Sequence, residues 1–429
     1  MVPFAGYEMP VQYSSQSIGD SHHWVRQSCG LFDVGHMVQH EFSGPGAIAL
    51  LEQMTPSDPR SLPVGKNTLS VLIHEDTGGI VDDCIITNLG QGRWYVVTNA
   101  GCREKDLEYI QLEIEKMNAK HGQNGDEAVE WKVLDDRGLV AIQGPRSVEV
   151  LEGVLASMGS KPNLQTLHFG SCLPITLHLP SLSSEQISLS SSSSADSSSE
   201  ATNSAEYPLL VTRGGYTGED GFEISLPSTL APRFSASLLA YTPAPTSLES
   251  GSASDGSAPC KLAGLGARDS LRLEAGMCLY GHDLDDTTTP VEAALGWTVH
   301  PNRRESGAKP FNGSEVILRQ LRPAKSGGTP PARRRIGLVI EGAPAREGAK
   351  IFESTGTNDD EELGIITSGC PSPTLGKNIA MGYVKSGAHK AGTQVEVLVR
   401  GKRRAATVTK MPFLPAKYWK GPTGGTAPG

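Results

Sequence analysis

Apolar residues recur at helix-like and strand-like intervals in alternating blocks along the chain. Asp20 to Ser28 predicts a short helix stopped by Gly30, and Leu31 to Phe42 predicts one long strand. Ala47 to Met54 predicts another helix. Leu69 to Ile73, Ile80 to Thr87 and Trp94 to Thr98 are apolar, β-branched runs separated by glycine-rich turns, the pattern of antiparallel strands. Glu104 to Met117 is amphipathic and helical. Towards the C-terminus the runs shorten: Arg335 to Glu341, Ile379 to Lys385, Thr393 to Val399 and Ala405 to Lys410 predict strands of a small all-β barrel. The fold class expected is therefore α+β with a β domain at the end.

Three stretches interrupt this pattern. Ser181 to Ala205 is dominated by serine and offers too little apolar surface to fold, so it reads as a disordered loop inserted between two strands. Thr242 to Pro259, rich in Pro, Ser, Ala and Gly, reads as a second insertion of the same kind. Between Arg303 and Arg335 a basic stretch broken by Gly327-Gly328 and Pro330-Pro331 suits a domain boundary.

At 429 residues the chain has room for two or three domains. No run approaches the roughly 18 apolar residues of a membrane span, and the start lacks the basic and apolar regions of a secretory signal. The seven cysteines show no CxxC pair, which argues against a zinc site or disulfide framework and for reduced thiols in an intracellular compartment. A net charge of -9 argues against nucleic acid as a partner. The charge is unevenly spread: residues 1–300 hold 17 basic and 37 acidic side chains, residues 301–420 hold 21 and 10. Two differently solvated surfaces explain this as well as a basic patch that receives an acidic partner or a polyanionic substrate tail.

Several generic signatures fail. Gly44-Pro45-Gly46-Ala47-Ile48-Ala49 mimics a dinucleotide fingerprint, but a proline occupies the turn and Pro56, Pro59 and Pro63 follow where a buried strand should come. His36 and His40, spaced by four along a predicted strand, are too far apart to share a metal and read as packing or surface residues. Asn312-Gly313-Ser314 is a sequon with no sign of a secretory route.

Three segments carry more. In Gly78-Gly79-Ile80-Val81-Asp82-Asp83-Cys84-Ile85-Ile86 two adjacent carboxylates interrupt a buried-looking strand, and since neighbours face opposite sides, one should point to a cavity or the core. Such a carboxylate can act as a general base, although a turn-finishing pair at an exposed strand entrance explains the same residues. In the run Arg213 to Leu226 the alternation of Phe222, Ile224 and Leu226 sends Glu223 to the opposite face, either to solvent or to a binding site. Ala267 to Gly276 reads as a helix whose Arg268 and Arg272 share a face, a solvated stripe or a carboxylate clamp.

In this order these segments resemble the aminomethyltransferase family, the T-protein family of the glycine cleavage system. So do Met1-Val2-Pro3-Phe4-Ala5-Gly6-Tyr7, Leu31-Phe32-Asp33-Val34, Thr288-Thr289-Pro290-Val291-Glu292, Thr367-Ser368-Gly369-Cys370-Pro371-Ser372-Pro373 and Met411-Pro412-Phe413. A match dispersed over nearly the whole chain is more specific than any one motif.

The resemblance implies a three-domain folate-binding fold, with residues 1–310 forming two intertwined α+β domains around the insertions 181–206 and 242–259. Residues 311–420 would form a C-terminal β-barrel and 421–429 a flexible tail. It also implies an enzyme that takes an aminomethyl group from the lipoyl arm of a carrier, the H-protein, and passes its methylene to tetrahydrofolate with release of ammonia. Tetrahydrofolate is then a co-substrate; no metal, flavin or membrane insertion is expected. By position, Asp83 matches the catalytic aspartate, Glu223 the carboxylate on the pterin, and Arg268 and Tyr418 further folate or substrate contacts. Leu69, Val97, Asn99, Tyr216 and Trp297 would line the channel.

Members of the family usually carry further residues before the Met-Val-Pro-Phe segment, so either a truncated or a misassigned start is expected, and a mitochondrial matrix location follows from the resemblance alone. The rivals on the same fold are folate domains of dimethylglycine or sarcosine dehydrogenases, which need a large flavin domain, and a non-enzymatic iron–sulfur-cluster assembly factor. The latter's Lys-Gly-Cys-Tyr-x-Gly-Gln run is replaced here by Ala275-Gly276-Met277-Cys278-Leu279-Tyr280-Gly281-His282.

Overall fold

The computed structural model describes residues 1–121, 128–180, 204–243, 258–305, 307–354 and 361–422. Most of the two insertions and of the tail, 423–429, lies outside them. The strands that flank the serine-rich insertion, Ser171–Pro180 and Ser204–Arg213, pair antiparallel out to Pro180 opposite Ser204. Residues 204–206, placed in the insertion by the expected bounds 181–206, are therefore strand. Among the described residues, no helix is long and apolar enough to cross a membrane.

Two large sheets and a barrel make up most of the described fold, beside a short hairpin of Val2–Phe4 and Tyr7–Met9. The first sheet has five strands in the spatial order Asn67–Ile73, Ile80–Gly90, Arg93–Thr98, Val38–Ser43, Glu130–Val133. One of its faces is covered by the helices Ala47–Met54 and Arg103–His121, which pack Leu50, Leu51, Met54 and Ile110 against Phe42, Cys84, Ile86 and Val96. The second sheet has six strands: Ser171–Pro180, Ser204–Arg213, Gly221–Pro227, Arg137–Gln143, Cys29–Asp33 and Cys260–Leu262. Its helix-covered face buries Val150, Leu151, Phe234 and Leu238 from Ser147–Ser157 and Ala231–Ala240 against Phe222, Ile224 and Leu226. The uncovered faces of the two sheets meet each other, with Tyr95 and Val97 packed among Leu139, Cys172 and Leu210.

The long strand expected over Leu31 to Phe42 is two strands in different sheets. Asp33 Oδ1 accepts the Gly35 N–H at 3.0 Å, and the turn so formed takes the chain out of the second sheet and into the first. His36 sits in that turn, buried against Phe4 and Tyr7, while His40 lies in the strand that follows.

Strands Arg333–Ile340, Lys350–Glu353, Glu362–Ser372, Lys377–Lys385, Gln394–Val399 and Lys402–Thr409 close into a barrel around Leu338, Ile351, Ile366 and Val397. Helix Ser314–Leu321 packs Ile317 with Val71, Ile73 and Ile80 of the first sheet, so the barrel starts at Arg333 rather than at residue 311. Helix Leu265–Glu274 binds the barrel to the sheets. It buries Leu271 between the sheets and Leu273 against Ile379 and Met381 of the barrel. Arg272 on it bonds Asp283 at 2.7 Å and Ser368 at 2.9 Å.

Candidate active site

The cleft between the sheets is the candidate site. Strand Ile80–Gly90 forms one wall and is covered on both faces. Opposite it, Leu72 pairs with Asp82 but Ile73 pairs with Ile80, so Val81 is a bulge. Beyond it the alternation is regular. Cys84 and Ile86 face the helices, whereas Ile85 and Thr87 face the cleft. Asp82 accordingly points into the helix side, fully buried, and Asp83 points to the cleft.

Asn99, just past the neighbouring strand, holds both carboxylates. Its side-chain amide donates to Asp82 Oδ1 at 2.9 Å and to Asp83 Oδ1 at 2.8 Å, and its backbone N–H donates to Asp82 Oδ2 at 2.8 Å. Burial, together with the negative charge of Asp82, pushes the Asp83 carboxyl up to about 7 against the opposing pull of the Asn99 bond. A carboxyl that exchanges its proton near neutral pH is suited to general acid–base work.

The other wall is the strand Gly221–Pro227. Phe222, Ile224 and Leu226 face the helices, so Glu223 and Ser225 face the cleft, with Glu223 across from Thr212 and Ala141. Burial raises the Glu223 carboxyl above its ordinary range, and the Arg268 charge opposes that. Behind Ser225, Gln39 accepts from the Tyr95 hydroxyl at 2.8 Å and donates to the Arg137 carbonyl at 3.2 Å, a polar floor under an otherwise apolar slot.

Arg268 lies with its guanidinium 4.6 Å from the centre of the Tyr216 ring. Among the described residues it takes part in no ion pair, and burial draws its affinity for a proton down. The Tyr216 hydroxyl in turn donates to the Cys278 carbonyl. Arg272, predicted to share Arg268's face, is committed to Asp283, Asp269 and Ser368 and is structural.

The residues picked out in the sequence thus divide. Asp83 and Asn99 touch; Val97 and Glu223 line the cleft, with Leu69 beside it opposite Ile85; Tyr216 and Arg268 stack. Tyr418 stands apart, stacked on Phe169 at 4.1 Å with its hydroxyl pushed up to about 12 by burial. Trp297 is 58% exposed. Ile85, Thr87, Tyr95 and Leu210 line the slot without having been predicted. Their only signal was strand alternation, which needs the pairing to be read.

Two domain families match this chain: the GCVT N-terminal domain over residues 1–180 and 179–303, and the glycine cleavage T-protein C-terminal barrel domain over 333–414. The chain belongs to the glycine cleavage T-protein family. A probable mitochondrial aminomethyltransferase of Schizosaccharomyces pombe is 40% identical over 420 residues, 98% of this chain and 90% of that protein. The mitochondrial aminomethyltransferase of Mesembryanthemum crystallinum is 42% identical over 98% of this chain and 88% of its own length. The crystal structure of glycine cleavage system aminomethyltransferase T from Bartonella henselae is 32% identical with a TM-score of 0.74, covering 98% of this chain and 95% of that one. Family membership fits the three-part architecture of two facing sheets and a barrel.

Proposed function

We propose that this chain is the aminomethyltransferase of a glycine cleavage system and that the cleft between its sheets takes tetrahydrofolate. The observation that carries the site assignment is the Asp83 carboxyl, held at the cleft by Asn99 and ready to exchange a proton near neutral pH. The reaction moves a methylene from a lipoyl sulfur of the H-protein to two folate nitrogens. Two new C–N bonds form, the old C–N and C–S bonds break, and the two protons lost from folate leave on ammonia and on the freed thiol.

In this reading Asp83 accepts a proton from the attacking folate nitrogen and returns it to the departing amine. Glu223 bonds the donor edge of the pterin, where a ring N–H and an amino group match two carboxylate oxygens. Arg268, a guanidinium with no ion-pair partner among the described residues, receives a carboxylate of the folate tail, and Tyr216 keeps its plane fixed. The apolar walls displace water, which favours transfer to folate over hydrolysis. Tyr418 and Trp297 are given no part in the chemistry in this reading. Matrix localisation is proposed from the relatives named as mitochondrial.

The test is ammonia release from aminomethylated H-protein with tetrahydrofolate as acceptor. Release that depends on both supports the reading. A purified, folded protein that binds folate yet releases no ammonia would leave a binding role only.

A further inference from the structure

Behind Asp83, on the helix side of the same strand, lies a polar cluster that the proposed chemistry does not use. Asp106, on helix Arg103–His121, is fully buried, and neither of its oxygens meets a donor in hydrogen-bond geometry. Its polar neighbours are the Thr98 hydroxyl and the Asp82 carboxyl. Acceptor atoms of Asp82 and Asp106 and the Cys102 sulfur lie within 4.8 Å of one another. Two carboxylates this close in a dry interior cannot both be charged.

Where the proton sits follows from counting donors. Asp82 already accepts two bonds from Asn99, on both oxygens, and the Cys102 thiol faces it. Asp106 has the Thr98 hydroxyl alone as a neighbouring donor, so a proton on Asp106 removes the less well solvated of the two buried charges and supplies a further bond to Asp82. The far side of the cluster agrees. The indole N–H of Trp131, which can only donate, bonds His40 Nδ1 at 3.3 Å. His40 therefore carries its hydrogen on Nε2 and donates to Thr98 Oγ1 at 3.2 Å, leaving the Thr98 hydrogen free to point at Asp106. Burial keeps His40 neutral, drawing it down to about 4.

We propose that Asp106 is a positioning residue: it stays protonated and donates to Asp82, and this singly charged pair, acting through Asn99, fixes the rotamer of Asp83 and the negative charge that Asp83 feels. The inference rests on Asp83 being the proton-transferring group. Burial raises both members of the pair, Asp82 well above its ordinary value with the Asp106 charge adding to it, and Asp106 to about 7 against its bonds with Asp82 and Thr98, so the pair as a unit holds one proton through neutrality. The other ionisable groups around the cluster are Cys84 on the same strand, Lys105 on the helix and Cys102 before it, with Tyr280 and Cys278 on the segment packed across the strand's start and Tyr216 opposite Asp83. Lys105 donates to Tyr280 at 2.6 Å and Tyr280 to the Ile80 carbonyl at 2.8 Å, so neither supplies Asp106 with a proton.

The experiment compares Asp106→Ala, Asp106→Asn and Asp82→Asn by the pH dependence of ammonia release and by infrared spectra with ¹³C-labelled aspartate. Asp106→Ala should slow the reaction by about tenfold, and Asp106→Asn, which supplies an N–H donor in place of O–H, should restore the rate with its acid limb within about 0.3 pH unit of the parent. Asp82→Asn removes the charge beside Asp83 and should move the acid limb down by about 1–2 pH units. In the parent protein a protonated-aspartate carbonyl band should persist at pH 8 and vanish in Asp106→Asn. The assignment is overturned if the band is missing from the parent, if Asp106→Asn is as slow as Asp106→Ala, or if a divalent ion bound at the cluster takes the proton's place. The parent's infrared band is read without turnover, so it stands or falls separately from the activity assignment.

Discussion

Asp83→Asn tests the centre of the site. The amide is nearly isosteric, and Asn99 can still donate to its oxygen, so the cleft keeps its shape while charge and basicity are lost. A positioned acid–base group contributes about 10²–10⁴ in rate, or about 2.7–5.4 kcal/mol of barrier. Parent ammonia release should rise with pH through about 7 as Asp83 ionises, and the variant should lose that limb. Stability should move the other way. A folded-state carboxyl raised from an ordinary value of 3.8 to about 7 binds its proton more tightly folded than unfolded, so the parent loses stability as pH rises between those values. The full linkage is worth about 4 kcal/mol, and solvent reaching the cleft should cut it to about 1–2 kcal/mol. At pH 8 the variant should therefore melt a few degrees higher than the parent and at pH 4 about equally. Tetrahydrofolate affinity, measured by calorimetry, serves as control. A variant with parental turnover, while Asp82→Asn loses it, would show that the roles of the two aspartates are reversed.

Other perturbations address the remaining parts. Glu223→Gln should weaken tetrahydrofolate binding by about 1.5–3 kcal/mol, read by calorimetry, with little effect on melting because the side chain lies at the cleft. Glu274, bonded to Arg26 at 2.7 Å and to Thr374 Oγ1 at 2.9 Å, is held down to about 2 by His22, Ser372 and Arg26 bonds that outweigh its burial. Its contribution is present above the ordinary value of 4.5 and lost as pH falls towards 2; Glu274→Gln should cost about 3 kcal/mol at pH 7, seen in denaturant melts. Reversing the exposed barrel residues Lys390, Arg400, Lys402 and Lys410 to Glu should raise the apparent Michaelis constant for H-protein in a salt-dependent way and leave folate affinity unchanged; a constant that stays flat would make this surface merely solvated. The consecutive run Arg333 to Arg335 is unsuitable, since Arg335 is buried on the Ala293 and Gly276 carbonyls.

How much could be read beforehand depended on what each residue faces. Strands with one solvent side, such as Gln394–Val399 and Lys402–Thr409, alternate visibly, and the barrel was legible from them. Ile80–Gly90 is packed by helices on one face and the second sheet on the other, so apolar residues occur on both faces and alternation loses its contrast. The sequence could therefore say that one of Asp82 and Asp83 faces a cavity but not which, because the bulge at Val81 and the pairing of Ile85 with Val97 are tertiary facts. Turn chemistry was legible but overlooked: Asp33 followed by Gly35 signals the break that the apolar run from Leu31 to Phe42 conceals. The glycines at 44 and 46 are the converse case. A strand and a helix do flank them, yet a side chain at Gly44 would meet the Ala128 carbonyl oxygen at 2.6 Å, so the first glycine serves close backbone packing, not a phosphate.

Asp106 marks where sequence reading stops. On its helix it looks like one more first-turn acid complementing the helix dipole, and such residues are usually solvated. Only the meeting of that helix with the buried side of the strand sets its carboxyl beside Asp82. The same adjacency explains why Asp83 needs a neighbour that is itself charged. A neutral Asp82 would leave burial alone to raise Asp83, which would then ionise at a lower pH and be a weaker base, whereas two charged neighbours would raise it further and keep it protonated where the reaction must run. One proton shared by Asp82 and Asp106 leaves a single charge behind Asp83, the state in which its carboxyl both ionises and reprotonates near neutrality.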